Sequence, residues 1–339
     1  MLGPGPSRGP AVVDSLSLKP EAAAPAHAPA VKRGRGRPRP PRGSLRSRRE
    51  AWAAHLFLVP WFLGLFLITI GPIVASLYLS FTDYSLLDEA KWVGLDNYIT
   101  LFTEDPRFWT SLKVTTIYVV VSVPLQLGFA LGLALLLDRG LRGLSFYRSI
   151  YYLPSLLGGS VAIAILWRKI FGADGLVNAV LAIFGIQGTS YVNNPDTALG
   201  TLILLHVWTF GAPMVIFLAG LRQIPGSYYE AASIDGAGTL QQFKSITLPL
   251  LTPIIFFNLV LEVIKSFQSF TQSFIVSNGT GGPTDSTLFY TLYLYTKGFK
   301  DYEMGYASAL AWVLVVIIAG LTGVNFLASK YWVFYGDSK

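Results

Sequence analysis

The sequence contains no cysteine and only three histidines among its 339 residues. Disulfide bonds, thiol catalysis and cysteine-ligated metals are therefore excluded. His27, His55 and His206 are scattered along the chain, whereas a metal site needs a cluster of ligands, so we expect no metal site. The chain also has no G-x-x-x-x-G-K-[ST] phosphate loop, so we expect it neither to bind nor to hydrolyse ATP.

Charged residues are scarce as well, at 13% of the chain, while hydrophobic residues make up 52%. Soluble domains carry about 25% charged residues. Several apolar runs reach the length of about 20 residues that a helix needs to cross a bilayer. The composition therefore predicts a protein embedded in a membrane, in agreement with a mean hydropathy of +0.50.

The basic residues are concentrated at the start of the chain. Residues 1–50 hold eleven of the 26 Lys and Arg residues, together with many Pro, Ala and Gly. They show no apolar periodicity, which predicts a disordered, basic cytoplasmic tail. The stretch "KRGRGRPRPPRG" (32–43) resembles an AT-hook, but on a membrane protein we favour contact with anionic lipid and expect no nucleic-acid partner.

Six apolar runs follow the tail, and runs of this length satisfy their backbone in a bilayer only as helices. We therefore predict an all-α, polytopic membrane domain over residues 51–335. Basic residues favour the tail and the segments 138–148, 222–249 and 330–339, so the positive-inside rule predicts that both termini are cytoplasmic. The predicted spans cover approximately residues 55–81, 111–137, 149–167, 198–221, 250–276 and 305–329.

One cytoplasmic segment, residues 222–249, contains "SYYEAASIDGAGTLQQFKSITLP". Ser227 with Glu230, and Thr239 with Gln242, each match a capping box at the start of a helix. Gly236 can end the first helix in a left-handed conformation, and a proline disfavours helical backbone just before it. The pattern predicts two short helices around a turn, the second closed by Pro249. Helices this short need a partner surface, either another protein or the chain's own spans.

The same stretch resembles the EAA loop of binding-protein-dependent ABC importer permeases, with the pattern E-A-A-x-x-D-G-A, a spacer and F-x-x-I-x-L-P. Five further stretches, among them "RSIYYLP" (148–154) and "GYASALAW" (305–312), resemble the carbohydrate-uptake branch, the MalF/UgpA-like permeases. The residues that the resemblance assigns to ATPase coupling are Glu230, Ala231, Ala232, Asp235, Gly236, Ala237, Phe243 and Pro249.

The resemblance implies the type I importer permease fold and a subunit that transports without catalysing a reaction. It implies a second, homologous permease as partner, most often a different chain, and a dimeric ABC ATPase that binds ATP and Mg²⁺ in place of this chain. A solute-binding protein outside the cell membrane of a bacterium or archaeon would deliver the substrate. That substrate would be a carbohydrate, a polyol or a glycerol phosphate.

Polar residues within the fifth predicted span recur at intervals of three and four. At 100° per residue they fall on one stripe about 80° wide, and Glu262 can pair with Lys265. Such a stripe is typical of a substrate pathway, although it could instead face the second permease. His206, Trp208 and Thr209 in the fourth span are weaker candidates for the pathway. The stripe consists of Asn258, Glu262, Lys265, Ser269 and Gln272.

Two other classes of function are open at this point. An ion-coupled secondary transporter would need inverted repeats and a carboxylate that binds protons or sodium, and Glu262 is the one acid well inside a predicted span. A membrane scaffold for a cytosolic ATPase would need the coupling segment but no polar stripe. The resemblance favours a permease subunit of a sugar importer.

Overall fold

The computed structural model describes residues 45–139 and 143–334, and most of them are helical. Most of the predicted tail lies outside the described residues, and the backbone of residues 45–50 forms the first turns of a helix. The chain divides after Pro60 into two units. In the first, residues 45–60 are helical, and both candidate sites described below belong to the second.

Fifteen α-helices and one short strand pair make up the described residues. Three π-helical turns (Leu65–Ile70, Phe243–Thr247 and Thr296–Lys300) and a 3-10 turn (Pro283–Asp285) join some of them. The strands, β1 (Thr82–Asp83) and β2 (Lys91–Trp92), pair antiparallel. The helices are α1 (Leu45–Gly64), α2 (Gly71–Leu79), α3 (Asp96–Thr103), α4 (Pro106–Asp138), α5 (Leu144–Leu157), α6 (Val161–Ile170), α7 (Leu176–Ile183), α8 (Pro195–Trp208), α9 (Gly211–Leu221), α10 (Gly226–Ile234), α11 (Thr239–Gln242), α12 (Leu248–Phe267), α13 (Thr271–Val276), α14 (Tyr290–Tyr295) and α15 (Met304–Trp332).

Four helical segments are long and apolar enough to cross a membrane, and two bent helix pairs raise the number to six if each pair is one span. The bends are 94° between α5 and α6 and 42° between α8 and α9. The runs predicted as spans over 149–167 and 198–221 are therefore each divided between two helices. The run predicted over 250–276 is divided as well, because α12 ends at Phe267 and α13 begins only at Thr271. The four segments that qualify alone are His55–Leu79, Pro106–Asp138, Thr239–Phe267 and Met304–Trp332.

Local sequence explains the sharpest of these bends. Gly158 and Gly159 follow α5, and the Ser160 side chain then caps α6 by accepting a hydrogen bond from the Ile163 amide at 3.3 Å. A serine N-cap starts a new helix instead of continuing the old one. The apolar run therefore turns by 94° between α5 and α6, although its composition is typical of a single span.

Helix α4 is the centre of the bundle, and it packs against α8, α9, α12 and α14. Its apolar side contributes buried residues such as Phe108, Val123 and Leu137 to the core. A second set of buried residues on α4 is polar and recurs at intervals of three and four. This polar face consists of Ser111, Thr115, Tyr118, Ser122 and Gln126.

The broken helices leave backbone groups without helical partners, and side chains from other helices bind them. Ser155 Oγ donates to the Thr209 carbonyl at 2.8 Å and accepts from the Ala212 amide at 2.8 Å. Gln126 Nε2 also donates to the Thr209 carbonyl, at 3.2 Å. Because no water is available in the hydrocarbon region, an unsatisfied backbone group there costs several kcal/mol. These side chains therefore stabilise the bend between α8 and α9.

The two bends pack directly on one another. A Cβ added at Gly158 would lie 2.1 Å from Thr209 Cγ2, which is closer than any real contact. Gln272 Nε2 reaches the same place and donates to the Gly158 carbonyl at 3.2 Å. The breaks in the third, fourth and fifth spans therefore meet at one level of the bundle.

Asp105, the residue just before α4, contacts Tyr293 of α14 and Tyr306 of α15. We call these three residues the Asp105 clamp. Asp105 Oδ2 accepts hydrogen bonds from the hydroxyls of Tyr293 at 2.6 Å and Tyr306 at 2.5 Å, and Oδ1 accepts from the Phe108 amide at 3.1 Å. Burial alone would raise the pKa of Asp105, but these hydrogen bonds outweigh it and hold the pKa below its ordinary value. The clamp therefore keeps a carboxylate ionised while it ties three helices together.

We predict that Asp105→Asn destabilises the protein at neutral pH by about 1–3 kcal/mol, because hydrogen bonds to a charged acceptor are lost. A carboxylate with a depressed pKa stabilises the fold at pH values above its unfolded-state pKa. This stabilisation is lost as the pH falls through its folded-state pKa. The deficit should therefore shrink below the ordinary carboxyl pKa near 3.8. The stability deficit is measured from the unfolding temperatures of the detergent-solubilised wild type and variant, from neutral pH to below this value. Asp96→Asn, at an exposed carboxylate, is the control, and a deficit independent of pH would contradict the charge argument.

We also predict that Gly158→Ala destabilises the bundle by roughly 1–3 kcal/mol, because the new methyl group overpacks the contact with Thr209. Gly159→Ala is a matched control one residue away, since its Cβ would meet no atom within 4 Å. Thermal unfolding of both variants in the same detergent makes the comparison. Equal unfolding temperatures would show that the two bends are not in contact.

Candidate functional site

A cavity of about 220 Å³ lies where the helix breaks meet. Helices α4, α5, α8, α9, α12 and α13 all contribute to its wall, and most of the side chains are polar. The cavity is lined by Tyr118, Gln126, Ser155, Gly158, Gly159, Leu205, His206, Thr209, Ala212, Glu262, Lys265, Ser269 and Gln272.

The fifth span provides one wall of this cavity. The structure brings Glu262, Lys265, Ser269 and Gln272 together there, across the break between α12 and α13. Glu262 Oε1 lies 2.9 Å from Lys265 Nζ, so the predicted ion pair is confirmed. The Glu262 side chain is 7% exposed, whereas that of Lys265 is 60% exposed. The wall therefore offers a buried carboxylate whose charge is balanced by an accessible ammonium group.

Two further polar groups continue the wall beyond α12. Ser269 Oγ donates to Gln272 Oε1 at 3.2 Å. The same glutamine donates from Nε2 to the Gly158 carbonyl, so its orientation is set from both ends. The fifth member of the predicted stripe, Asn258, lies elsewhere: it is buried and donates to the Ile254 carbonyl of its own helix at 2.9 Å.

The fourth span contributes His206 and Thr209, both of which line the cavity. His206 Nε2 lies 3.4 Å from Ser266 Oγ, and its ring meets the edge of the Tyr118 ring at 5.5 Å between centroids. Trp208 does not line the cavity, and its ring instead lies 6.1 Å from that of Trp167.

Sequence reasoning missed the second span as a wall of the site. Tyr118 and Gln126 of α4 line the cavity, together with Ser155 of α5. The signal was present, because the polar face of α4 has the same three- and four-residue spacing that pointed to the fifth span. Applying the rule to every predicted span would have found it.

Gln126 is held in one orientation. The Thr209 hydroxyl donates to the His206 carbonyl, so its oxygen must accept the bond from Gln126 Nε2 at 3.0 Å. The Thr209 carbonyl can only accept as well. Both contacts therefore require the amide nitrogen on this side, and Gln126 Oε1 is left buried without a partner among the described residues. Ser122 Oγ, one turn earlier, is in the same situation.

The predicted coupling segment forms a second candidate site. Helix α10 ends at Ile234, and Gly236 follows with φ of +82°, which confirms the predicted left-handed turn. The Ala237 amide closes this turn on the Ala232 carbonyl at 2.8 Å. A Cβ at Gly236 would meet no atom within 4 Å, so the backbone conformation and not the available space requires glycine here.

Other details of the segment differ from the prediction. Neither capping box forms: α10 is preceded by Pro225 and α11 by Gly238, and neither N-cap makes a side-chain hydrogen bond. Pro249 does not close the second helix, because the chain continues from α11 through the π-helical turn into α12. Pro249 instead lies at the second residue of α12, directly after the π-helical turn Phe243–Thr247.

Internal hydrogen bonds brace the coupling segment. Gln242 Nε2 donates to Ser233 Oγ at 2.9 Å and to the Ala237 carbonyl at 3.2 Å. The hydroxyls of Tyr229 and Thr247 are 2.9 Å apart and join α10 to the start of the fifth span. Of the residues assigned to coupling, Ala232, Ala237, Phe243 and Pro249 are half-buried, while Glu230, Ala231, Asp235 and Gly236 are exposed.

The exposed face of the coupling segment combines apolar and acidic groups. Tyr228, Ile234 and Leu240 are exposed large apolar side chains. The side-chain carboxylates of Glu230 and Asp235 make no hydrogen bond or ion pair with any other residue in the described ranges. No three His, Asp or Glu side chains within those ranges come together as a metal site. The face can therefore bind another protein, through apolar contacts and an acidic rim.

Comparisons with known proteins agree with this arrangement. The chain is 53% identical over 289 residues to the probable ABC transporter permease protein YesP of Bacillus subtilis, with 85% of this chain and 94% of that protein covered. It is 34% identical to the lactose transport system permease protein LacF of Rhizobium radiobacter, with 81% and 93% covered. It is also 34% identical to the arabinooligosaccharides transport system permease protein AraP of Bacillus subtilis, with 78% and 85% covered.

A solved structure shares the fold. It is that of a bacterial alginate ABC transporter in complex with an alginate pentasaccharide-bound periplasmic protein, and one of its chains matches with a TM-score of 0.73. The match has 21% identity and covers 84% of this chain and 96% of that chain. Residues 125–328 match the family described as the binding-protein-dependent transport system inner membrane component. The chain therefore belongs to this family of inner-membrane ABC transporter permeases, as its EAA-like segment predicted.

Proposed function

We propose that the chain is the permease subunit of an ATP-driven carbohydrate importer, and that the cavity at the helix breaks is the part of the pathway that contacts the sugar. The observation that carries this proposal is the cavity itself. It is lined by three broken spans and by α4, and its wall presents a carboxylate, an ammonium group, amides and hydroxyls. A sugar passing through needs this mixture, because each of its hydroxyl groups both donates and accepts a hydrogen bond.

The groups on the wall suit weak, reversible binding of a hydroxylated substrate. Glu262 can accept from one hydroxyl while Lys265 donates to its neighbour, because the two charged atoms are only 2.9 Å apart. The Tyr118 ring offers an apolar surface for the C–H side of a sugar. A substrate that has to leave again cannot be bound too tightly, and a balanced ion pair meets this condition better than an isolated charge would.

The relatives support a carbohydrate as the substrate class. By their names, LacF serves lactose transport and AraP serves the transport of arabinooligosaccharides. Another relative, SmoG of Agrobacterium fabrum, is named for sulfoquinovosyl glycerol transport. The solved neighbour was captured with an alginate pentasaccharide on its periplasmic protein. These names favour a glycoside or an oligosaccharide over a free polyol or a glycerol phosphate.

The coupling segment would seat the chain on its ATPase partner, which would bind ATP and Mg²⁺. Its exposed apolar side chains would enter a groove on the ATPase, with Glu230 and Asp235 facing basic residues at the rim. The bonds from Gln242 and Tyr229 would carry movement of α10 into α12 and hence to the cavity wall. ATP-driven closure of the ATPase could then switch the spans between inward-facing and outward-facing states.

The remaining partners follow from this arrangement. A second, homologous permease would complete the pathway, and a solute-binding protein would deliver the sugar from outside the cell. The concentration of basic residues in the tail supports a cytoplasmic N-terminus. An even number of spans then places the C-terminus and the coupling segment on the same side. The chain would then be a six-span subunit of a bacterial or archaeal cell membrane.

We predict that Glu262→Gln raises the apparent KM for sugar uptake about tenfold or lowers the maximal rate to a similar extent, because a charged acceptor is worth about 1.5–3 kcal/mol. Uptake by the assembled transporter in liposomes provides the measurement. Glu303→Gln is a matched control, since Glu303 also pairs with a lysine, Lys297, at 3.0 Å but lies outside the cavity. If the two variants transport alike, the cavity is not the pathway.

We predict that Gly236→Val greatly weakens association with the ATPase, while membrane insertion stays normal. A β-branched residue strongly disfavours a positive φ, so the turn that presents α10 would be reshaped at a cost of roughly 1–3 kcal/mol. Gly238→Val is the control, because Gly238 has φ of −72° and ψ of 166°, which valine adopts readily. The amount of ATPase that co-purifies with the tagged chain measures the effect. Equal recovery from both variants would contradict a coupling role for the turn.

A further inference from the structure

A second groove, of about 380 Å³, lies between α5 and α9. Apolar side chains form one of its sides, and the other side carries a single cationic group. Helix α5 has no buried residue, and side chains such as Phe146, Ile150 and Leu153 are exposed along it. A helix that is apolar and exposed in a membrane protein faces the bilayer. The groove is lined by Arg148, Ser149, Tyr152, Ala212, Val215 and Ile216.

Arg148 has no anionic partner within the part of the chain that the structure describes. Its Nε is buried and makes no hydrogen bond there. Other arginines differ, since Arg222 lies 3.6 Å from Asp138 at the same end of the bundle and Arg107 lies 2.8 Å from Asp285. A guanidinium group that is partly shielded from water and has no counter-ion favours an anion from outside the chain.

The position of Arg148 in the helix narrows the choice of anion. Arg148 is four residues from the start of α5, which is about 6 Å along the axis at 1.5 Å per residue. This places the charge near the surface of the bilayer, with Val215 and Ile216 of α9 as the apolar side of the same groove. An anion that carries an apolar chain fits this combination better than a soluble anion does.

We propose that the groove between α5 and α9 binds an anionic phospholipid, with its phosphate on Arg148 and an acyl chain along Val215 and Ile216. Guanidinium groups bind phosphate through two parallel hydrogen bonds. The Tyr152 hydroxyl makes no hydrogen bond within the described residues and can donate a further one. Ser149 contributes less, because its hydroxyl already donates to the Ser145 carbonyl at 3.1 Å.

The experiment compares phosphatidylglycerol with phosphatidylcholine of the same acyl chains. The full chain is purified in detergent, and native mass spectrometry counts the lipids that remain bound as each is added. The wild-type chain should prefer phosphatidylglycerol by about tenfold, the effect of one strong charge-assisted contact. Arg148→Gln should reduce this preference to near parity, while Arg148→Lys should keep part of it.

Lys330→Gln is the matched control, because it removes the same charge from an exposed position on α15. It should leave the preference for phosphatidylglycerol unchanged. Folding is checked by the unfolding temperature. Arg148→Gln should not lower it in phosphatidylcholine, since the Arg148 side chain makes no hydrogen bond to the described part of the chain.

Four results would overturn the proposal. The first is a wild-type chain that binds the two lipids equally, and the second is a preference that Arg148→Gln leaves intact. The third is displacement of bound phosphatidylglycerol by inorganic phosphate alone, which would assign the site to a soluble anion. The fourth is phosphatidylglycerol that binds the isolated chain but is excluded from the complex with the second permease, which would assign Arg148 to a carboxylate of that subunit.

Discussion

The structure depends on one constraint: backbone amides and carbonyls inside a membrane must find partners within the protein. Continuous helices such as α4 and α15 meet this constraint by themselves. The broken spans cannot, so Ser155, Gln126 and Gln272 bind the carbonyls and the amide that the breaks leave free. A break in the membrane is stable only where such side chains surround it. This explains why the breaks of three spans lie together and are not spread over the bundle.

The same constraint creates the cavity. Side chains that reach a break must be polar, and the backbone cannot pack as closely there as in a regular helix. Polar groups and free volume therefore arise at the same place, and both are needed to pass a hydroxylated solute. Gln126 shows how closely structure and site are connected, because two bonds to Thr209 fix its nitrogen and leave its oxygen without a partner. A residue that supports the fold thereby offers an acceptor beside the proposed pathway.

Much of the fold could be predicted from the sequence. The predicted second and sixth spans, 111–137 and 305–329, fall within α4 and α15. A long uninterrupted apolar run leaves few alternatives to one continuous helix. The left-handed turn at Gly236 followed from its position after a short helix. Hydropathy alone could not place the breaks, since an apolar run has the same composition whether it is straight or bent, although Gly158, Gly159 and Ser160 mark the sharpest one. The failure at Pro249 has a related cause: a proline that can end one helix can equally begin another.

The residues that line the cavity were predicted only in part, and there is a physical reason why the wall from α4 was missed. Charged residues are rare in spans, so Glu262 and Lys265 drew attention to the fifth span, whereas the hydroxyls and the single amide of α4 did not. Their spacing carries the same information with a weaker signal. Whether a polar side chain serves a cavity or its own helix cannot be read from spacing, as Asn258 shows by binding the carbonyl four residues earlier.

The Asp105 clamp has a mechanical consequence. It fixes one end of the rod formed by α4, which at 1.5 Å per residue is about 50 Å long. The coupling segment lies near the other end, where Arg139, just after α4, shares a groove with Tyr229. A rod held at one end and pushed at the other pivots, and its displacement grows with distance from the fulcrum. The cavity lies partway along this lever, so a large stroke at the coupling segment would reach the sugar as a smaller and more forceful one.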